Sequence, residues 1–160
     1  MTTKERILKL LEENSGFSHE NIAAALSVSV EEVKSLIAEC EADGTLLGYT
    51  AVVDWSKTGS ERCNAIIEIT VETKTGDGFE AVARQICAFP EVNALYLMSG
   101  GYDLAVMIEG KSMREVALFV YQKLAVIDGV TGTATHFVLN KYKDKNVMFG
   151  TPEKDEREWI

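Results

Sequence analysis

The chain has 160 residues, of which 46% are hydrophobic and 26% charged, and its formal net charge is -9 at pH 7. That length allows two small domains, and the composition argues against a chain that is disordered throughout. No apolar run approaches the length of a membrane span and the N-terminus lacks the layout of a signal peptide, so we expect a cytoplasmic protein with no membrane partner.

The acidic charge is concentrated in the first third of the chain. The first 54 residues contain four basic and ten acidic side chains. A protein surface that binds duplex DNA gains most of its affinity from lysine and arginine side chains that meet phosphates. If this segment binds DNA, it does so with few cations, and we expect its affinity to fall less steeply with salt than that of a basic repressor.

The first two predicted helices are short. Thr2 and Glu5 have the spacing of a capping box, and apolar residues follow at helical spacing up to about Asn14. Ser18 is a suitable N-cap for the second helix. The residues of that helix expected to face inward are Ile22, Ala25 and Leu26.

The third helix is predicted to begin at Ser29, where a second capping box ends at Glu32, and to stop at Asp43 and Gly44. Its apolar stripe, at helical spacing, consists of Val33, Leu36, Ile37 and Cys40. Two helices in such close succession are typical of a helix-turn-helix, whose third helix enters the major groove. Three-helix packets also serve as plain interaction modules, and the helices alone leave both interpretations open.

The next two segments connect the helices to a second domain. Residues 45–53 alternate like a β-hairpin wing or arm, and residues 54–62 are typical of a linker. We therefore expect a helix-turn-helix domain over residues 1–48, followed by a connecting strand and linker over residues 49–62.

The second domain is predicted to have the order βαββαβ, the ferredoxin-like arrangement. The predicted elements are a strand at Ala65–Val71, a helix at Asp77–Phe89 after a break at Gly76–Gly78, a β-hairpin at Val92–Gly110, a helix at Met113–Ala125 and a strand at Val130–Tyr142. The fold class is thus α+β, with the ferredoxin-like domain at residues 63–143 and a polar tail at residues 144–160. Such a sheet buries one face under its helices and leaves the other face for a ligand or a second chain.

The loop of the hairpin is a candidate site. Gly100 and Gly101 permit the positive φ that a tight reversal needs. Tyr102 and Asp103 follow, either as a ligand-facing pair or as ordinary turn chemistry. The residues by themselves favour the turn.

Other kinds of site have little support in the sequence. Cys40, Cys63 and Cys87 are odd in number and far apart, which argues against a disulfide framework and a closed zinc site. His19 and His136 are most simply a surface and a strand histidine. No catalytic triad spacing or phosphate-binding glycine loop occurs, so we expect no metal, no cofactor and no enzyme activity.

Several stretches, in order along nearly the whole chain, resemble the Lrp/AsnC (feast/famine) transcription regulators. The stretches that match are residues 43–51 after the third helix, Phe89–Val92, Gly100–Leu104, Gly129–Val130 with Thr133 and Thr135, and Lys141–Lys143. The resemblance implies an N-terminal helix-turn-helix, a connecting strand and a βαββαβ effector (RAM) domain.

The resemblance also implies partners and site residues. It implies double-stranded DNA as a partner, contacted by Ser29, Val30, Glu31, Lys34 and Ser35; the family usually carries two arginines where Lys34 and Ser35 stand. It implies a homodimer or higher homo-oligomer joined through the effector sheets. It further implies a small effector of the amino-acid class, held in a cleft between dimers by Ser99, Gly100, Gly101, Tyr102, Asp103, Thr133 and Thr135.

Two other functions remain as alternatives. One is an amino-acid sensor or corepressor with a degenerate helix-turn-helix that meets protein instead of DNA. The other is an enzyme similar to the haem-pathway decarboxylases that resemble this family, which the few basic residues of the chain disfavour.

For the effector site, we expect the exchange Asp103→Ala to abolish an amino-acid response and leave the fold intact, because a turn aspartate at the surface contributes little to stability.

Overall fold

The computed structural model describes residues 1–60, 62–72 and 78–150 of the chain. The described residues form two compact units. The helical unit comprises residues 1–53 together with the segment from residue 143 to 150, and the effector unit comprises residues 54–142. The break at Gly76 and Asp77 predicted from sequence, and the last ten residues of the tail, lie outside the described residues.

The helical unit contains the three predicted helices, α1 (Thr3–Glu13), α2 (His19–Leu26) and α3 (Val30–Ala42). Side chains cap each helix at its start: Thr2 and Glu5 form the full capping box, and the hydroxyls of Ser18 and Ser29 accept hydrogen bonds from backbone amides. The buried core of the unit consists of Ile7, Leu11, Ile22, Ala23, Val33 and Ile37.

The prediction for the inner face of α2 is wrong at one position. Ala25 is exposed, and Ala23 is buried instead. Because α2 packs against both α1 and α3, it buries two neighbouring residues, Ile22 and Ala23. A single stripe of residues at helical spacing does not predict such a pair.

Residues 49–62 were predicted as a connecting strand and linker, and the described residues of this segment form no strand. Residues 47–54 take neither strand nor helix, and Trp55–Thr58 is a 3-10 helix. A strand needs a neighbour that bonds its backbone groups, and this segment pairs with none of the described strands. Leu47 and Tyr49 are accordingly exposed.

The effector unit has the predicted order of elements. These are β1 (Cys63–Val71), α4 (Gly78–Cys87), β2 (Val92–Leu97), β3 (Leu104–Gly110), α5 (Met113–Phe119) and β4 (Val130–Phe137). The sheet is antiparallel with strand order β2-β3-β1-β4, as a ferredoxin-like fold requires. One π-helical turn, Val120–Leu124, continues α5.

The last strand is shorter than predicted. It ends at Phe137, which pairs with Ala65, and the amide of Val138 makes one more bond to the carbonyl of Asn64. Because β1 begins at Cys63, it offers no further residues for β4 to pair with, and the chain leaves the sheet. Part of the predicted tail instead forms a small hairpin in the helical unit, β5 (Lys143–Asp144) and β6 (Val147–Met148).

The core of the effector unit lies between one face of the sheet and the two helices. Alternate residues of β1 and β3 supply it, among them Ile67, Ile69, Leu104 and Val106, and Ile86 of α4 is fully buried against them. The opposite face carries the intervening residues and is not covered by any described helix. This open face of the sheet is therefore available to a second chain.

Candidate DNA-binding and effector sites

One face of α3 is buried in the helical unit and the opposite face is exposed. Val33, Ile37 and Cys40 are buried, which leaves Lys34 and Ser35 exposed on the other side. Glu31 is also exposed and Val30 is half-buried at the start of the helix. The structure thus brings four of the five predicted contact residues to the N-terminal half of one helix.

Ser29, the fifth predicted contact residue, has a structural task as well. Its hydroxyl oxygen accepts a hydrogen bond from the backbone amide of Glu32 at 3.1 Å. The hydroxyl hydrogen stays available as a donor, so capping the helix does not prevent contact with a phosphate.

Ala38 continues the exposed face of α3 and is not among the contact residues predicted from the sequence. It is exposed one turn after Lys34 and Ser35, at i+4 and i+3. A methyl group in this position suits contact with the methyl group of thymine. The spacing alone contains this signal, but alanine is not a residue type that draws attention.

The turn between α2 and α3 determines where α3 begins. Ser27 is in the left-handed region, with φ 57° and ψ 45°, and the amide of Val28 donates to the carbonyl of Ala23 at 3.1 Å. This C-cap ends α2 sharply, so that α3 starts at Val30.

The cations of the helical unit are not all available to a partner. The Lys4 ammonium lies 3.0 Å from a carboxylate oxygen of Glu39 and 3.0 Å from one of Asp43. The hydrogen bond from the Thr45 hydroxyl, followed by that from Lys4, lowers the pKa of Asp43 to about 2. Lys4 therefore joins α1 to the end of α3 and is occupied within the unit.

Lys34 lies close enough to α2 to affect its charges. The pKa of Glu20 is lowered, first by the backbone amide of Glu20 itself and by the Ser18 hydroxyl, with a smaller effect of the Lys34 charge. The hairpin β5–β6 adds two exposed cations to the same unit, Lys143 and Lys145. Its turn at Lys145 and Asn146 has positive φ at both positions, as in a type I′ turn.

The loop of the predicted effector site connects β2 to β3 over Met98–Asp103. The predicted positive φ occurs at one of the two glycines: Gly100 has φ 158°, which L side chains rarely adopt, and Gly101 is not among the glycines with positive φ. A Cβ atom at either position would meet no atom within 4 Å. Packing therefore requires glycine at neither position, and the two residues leave the loop backbone open to approach by another group.

Asp103 is part of the fold and not a free surface residue. Its Oδ2 accepts a hydrogen bond from the backbone amide of Val71 at 2.8 Å, and its own amide donates to the carbonyl of Ile69 at 3.0 Å. Asp103 is half-buried and Val71 is buried. The expectation that Asp103 is a surface turn residue that contributes little to stability is therefore wrong, because Asp103→Ala would leave the Val71 amide without its partner.

The threonines of β4 lie on the side of the sheet that the helices cover. Thr133 pairs with Ile69 and Thr135 with Ile67, and both isoleucines are buried. Ile69 also pairs with Leu104, so Thr133 and the Met98–Asp103 loop share one end of the sheet. Thr135 lies about 7 Å further along the strand. Ser99 is exposed and Tyr102 half-buried.

The open face of the sheet combines apolar and charged side chains. Ile66, Tyr96 and Met107 are large, apolar and at least one third exposed. The imidazole Nε2 of His136 lies 3.3 Å from Glu68 Oε1 on the same face. This composition is mostly apolar for an exposed sheet, which suits contact with another protein surface.

Two further features of the described residues concern metal ions and membranes. These residues contain no group of three or more histidine, cysteine, aspartate or glutamate side chains arranged to hold a metal ion. No described helix is both long and apolar enough to cross a membrane.

Comparison with known proteins gives matches over the whole length. Residues 64–148 match the family model described as the Lrp/AsnC ligand binding domain. The uncharacterized HTH-type transcriptional regulator YugG of Bacillus subtilis is 45% identical over 159 residues, which cover 98% of this chain and 96% of that protein. The HTH-type transcriptional regulator LrpA1 of Halobacterium salinarum is 30% identical over 142 residues, 89% of this chain and 97% of that protein.

A solved structure also resembles most of the chain. The crystal structure of the transcriptional regulator NMB0573 of Neisseria meningitidis, in complex with L-Met, has a TM-score of 0.73 with this chain. It is 22% identical and the alignment covers 90% of this chain and 92% of that one. At this identity the likeness concerns the fold.

Proposed function

Because the chain belongs to the Lrp/AsnC family, we propose that it is a transcriptional regulator that binds double-stranded DNA through α3 and whose DNA binding responds to an amino acid. The observation that carries this proposal is the combination, in one chain, of a helix-turn-helix unit with a unit that matches a ligand binding domain. The relatives of known name are HTH-type transcriptional regulators. The proposed function includes no catalytic activity.

The DNA contact is proposed for the exposed face of α3. Lys34 and Ser35 lie at its centre, with Ser29 and Val30 at the end of the helix that enters the groove first. Glu31 lies beside them and suits a cytosine amino group, a donor in the major groove. Because each helix-turn-helix unit has few cations, affinity comes from several such units that bind one DNA molecule together.

The effector site is proposed for the loop Met98–Asp103 and the adjacent end of β4. Gly100 and Gly101 are exposed and have no side chain, so their backbone amide groups suit the carboxylate of an amino acid. Asp103 uses Oδ2 for the Val71 amide, which leaves Oδ1 to accept from an ammonium group. The relative in complex with L-Met is consistent with an amino acid as the ligand class.

Self-association is proposed through the open face of the sheet. A dimer in which two such faces meet would bury Ile66, Tyr96 and Met107 and would contain two helix-turn-helix units. Effectors that favour one oligomer over another then change DNA binding by mass action.

The test is a gel-shift titration with the DNA upstream of the protein's own coding sequence, repeated at several salt concentrations. The exchange Lys34→Glu is expected to weaken binding roughly tenfold or more and to flatten the salt dependence by about one unit of slope. Lys111→Glu makes the same change of charge on an exposed residue of the effector unit and should leave affinity within twofold. Equal binding by the Lys34→Glu variant would overturn the assignment of α3, and no shift for the wild type at low salt would favour the corepressor function.

A further inference from the structure

A groove with a volume of about 370 Å³ lies between α5 and the end of β3 in the effector unit. Its walls include Ile108, Val116 and Phe119, and its polar groups include Glu91, Glu109 and Arg114. The volume falls within the usual range of small-molecule pockets, as does the combination of apolar walls with a few polar groups. The groove is at the opposite end of β3 from the Met98–Asp103 loop, about 20 Å away along the strand.

The carboxylate of Glu91 is only half satisfied. Its Oε1 accepts a hydrogen bond from the Lys123 ammonium. Its Oε2 is buried and has no hydrogen-bond partner among the described residues. A carboxylate oxygen that is closed off from solvent and has no partner is costly, so a donor that met the Glu91 carboxylate from the groove would offset that cost.

The Lys123 ammonium favours the charged form of Glu91, and the Glu91 carboxylate can still accept further hydrogen bonds. The bond from Lys123 lowers the pKa of Glu91. The same ammonium lies 5.3 Å from the ring centroids of both Phe89 and Phe119, so part of its charge is stabilised by the aromatic faces. Lys123 belongs to the π-helical turn that continues α5, and such turns occur frequently at functional sites.

The groove is also connected to the linker that leads to the helical unit. Glu109, in the groove wall, accepts a hydrogen bond from Arg62. The Arg62 guanidinium in turn stacks on Trp55, 3.5 Å from its ring centroid, in the 3-10 helix that follows Asp54. A ligand that displaces Glu109 would therefore change the surroundings of Trp55.

We propose that this groove is a second ligand site, separate from the loop site, and that it binds a small primary amine through the Glu91 carboxylate. The ammonium group binds the carboxylate, and a short apolar body packs on Val116 and Phe119. Arg114, which has no ion pair among the described residues, lies at the same groove and would add a contact for ligands that also carry a carboxylate. Binding at this site does not depend on the DNA-binding activity proposed above, and either can fail without the other.

Three probes share one apolar body and separate the possible sources of the ammonium. They are 3-methylbutylamine, L-leucine, which is the same amine with a carboxylate, and 3-methylbutanoate, which has no ammonium group. We expect the amine to bind the full-length chain and 3-methylbutanoate not to bind by calorimetry. Tighter binding of leucine in the groove, lost in Arg114→Gln, would identify amino acids as the source; equal binding would identify free amines.

The location of binding is measured on the wild type by NMR, so that it does not depend on the stability of a variant. The expected shifts are at the backbone amides of Glu91, Glu109 and Lys123. Shifts confined to residues 98–103 and 133–135 would overturn the proposal in favour of the loop site alone, and no binding of any ammonium probe would overturn it entirely.

Two variants complete the test. Glu91→Gln removes the charge that the ammonium needs and should weaken amine binding at least tenfold. Glu80→Gln, on an exposed position of α4, is the matched control and should bind like the wild type. In a Trp159→Phe background, where Trp55 is the single tryptophan, saturating amine should change the emission of Trp55. Unchanged emission would overturn the connection to the linker.

Discussion

The hydrogen bond from the Val71 amide to Asp103 predicts a specific pattern of stability in three variants. Asp103→Ala removes the acceptor and leaves the amide of a residue that is only 7% exposed without a partner. An unsatisfied buried donor costs about 1 to 3 kcal/mol of unfolding free energy. For a unit of residues 54–142, a loss of about 2 kcal/mol corresponds to a melting temperature lower by roughly 8 to 16 °C.

The conservative variant separates structure from ligand binding. The amide oxygen of asparagine in Asp103→Asn still accepts from Val71, so the cost should be about 1 kcal/mol or less. The matched control is Asp128→Ala, which removes an exposed turn aspartate and should change stability by less than about 0.5 kcal/mol. The assay is urea denaturation followed by circular dichroism, with the transition of the effector unit fitted separately. If Asp103→Ala is as stable as Asp128→Ala, the reasoning about this hydrogen bond is refuted.

Three further predictions concern the helical unit and the open sheet face. Ser27→Gly should raise the unfolding free energy of the helical unit by about 1 kcal/mol in urea denaturation, because glycine adopts the left-handed conformation without the cost that serine bears; a variant less stable than the wild type would contradict this. The depressed pKa of Asp43, about 2 against an ordinary 3.8, means that its contribution to stability is complete above pH 4 and is lost as the pH falls towards 2. Acid titration of Asp43→Asn should show a smaller loss over that window, and an identical acid profile would count against the assignment. Light scattering at micromolar concentration should find a dimer or larger oligomer for the wild type and a smaller species for Ile66→Asp on the open face, whereas a monomeric wild type would exclude association through it.

Local rules were enough to predict most elements of the fold. Caps at Thr2, Ser18 and Ser29 predicted where the three helices begin, because a cap is made by residues three apart in sequence. The alternation of apolar residues predicted the βαββαβ order, confirmed by the strand order of the sheet. The resemblance to the Lrp/AsnC family, confirmed by the matches over the whole chain, supplied the functional context that these patterns lack.

The errors and omissions have a common physical origin in contacts between distant residues. Asp103 and Val71 are 32 positions apart, and so are Lys123 and Glu91, so no spacing rule predicts either pair. The hairpin β5–β6 was missed because its turn uses Lys145 and Asn146 with positive φ, where sequence rules look for glycine. The connecting strand was predicted from alternation alone, although a strand also requires a neighbour to bond.

The most direct test of the account measures how an amino acid changes DNA affinity. Fluorescence anisotropy of a labelled duplex from the protein's own upstream region would be recorded for the wild type and for Asp103→Asn, across a panel of amino acids at fixed salt. The account predicts that at least one amino acid changes the affinity of the wild type for DNA by fivefold or more, as a coupling free energy of about 1 kcal/mol implies. The Asp103→Asn variant should bind DNA equally well without the amino acid and should not respond to it. DNA binding that no amino acid alters, or an equal response in both proteins, would contradict the account.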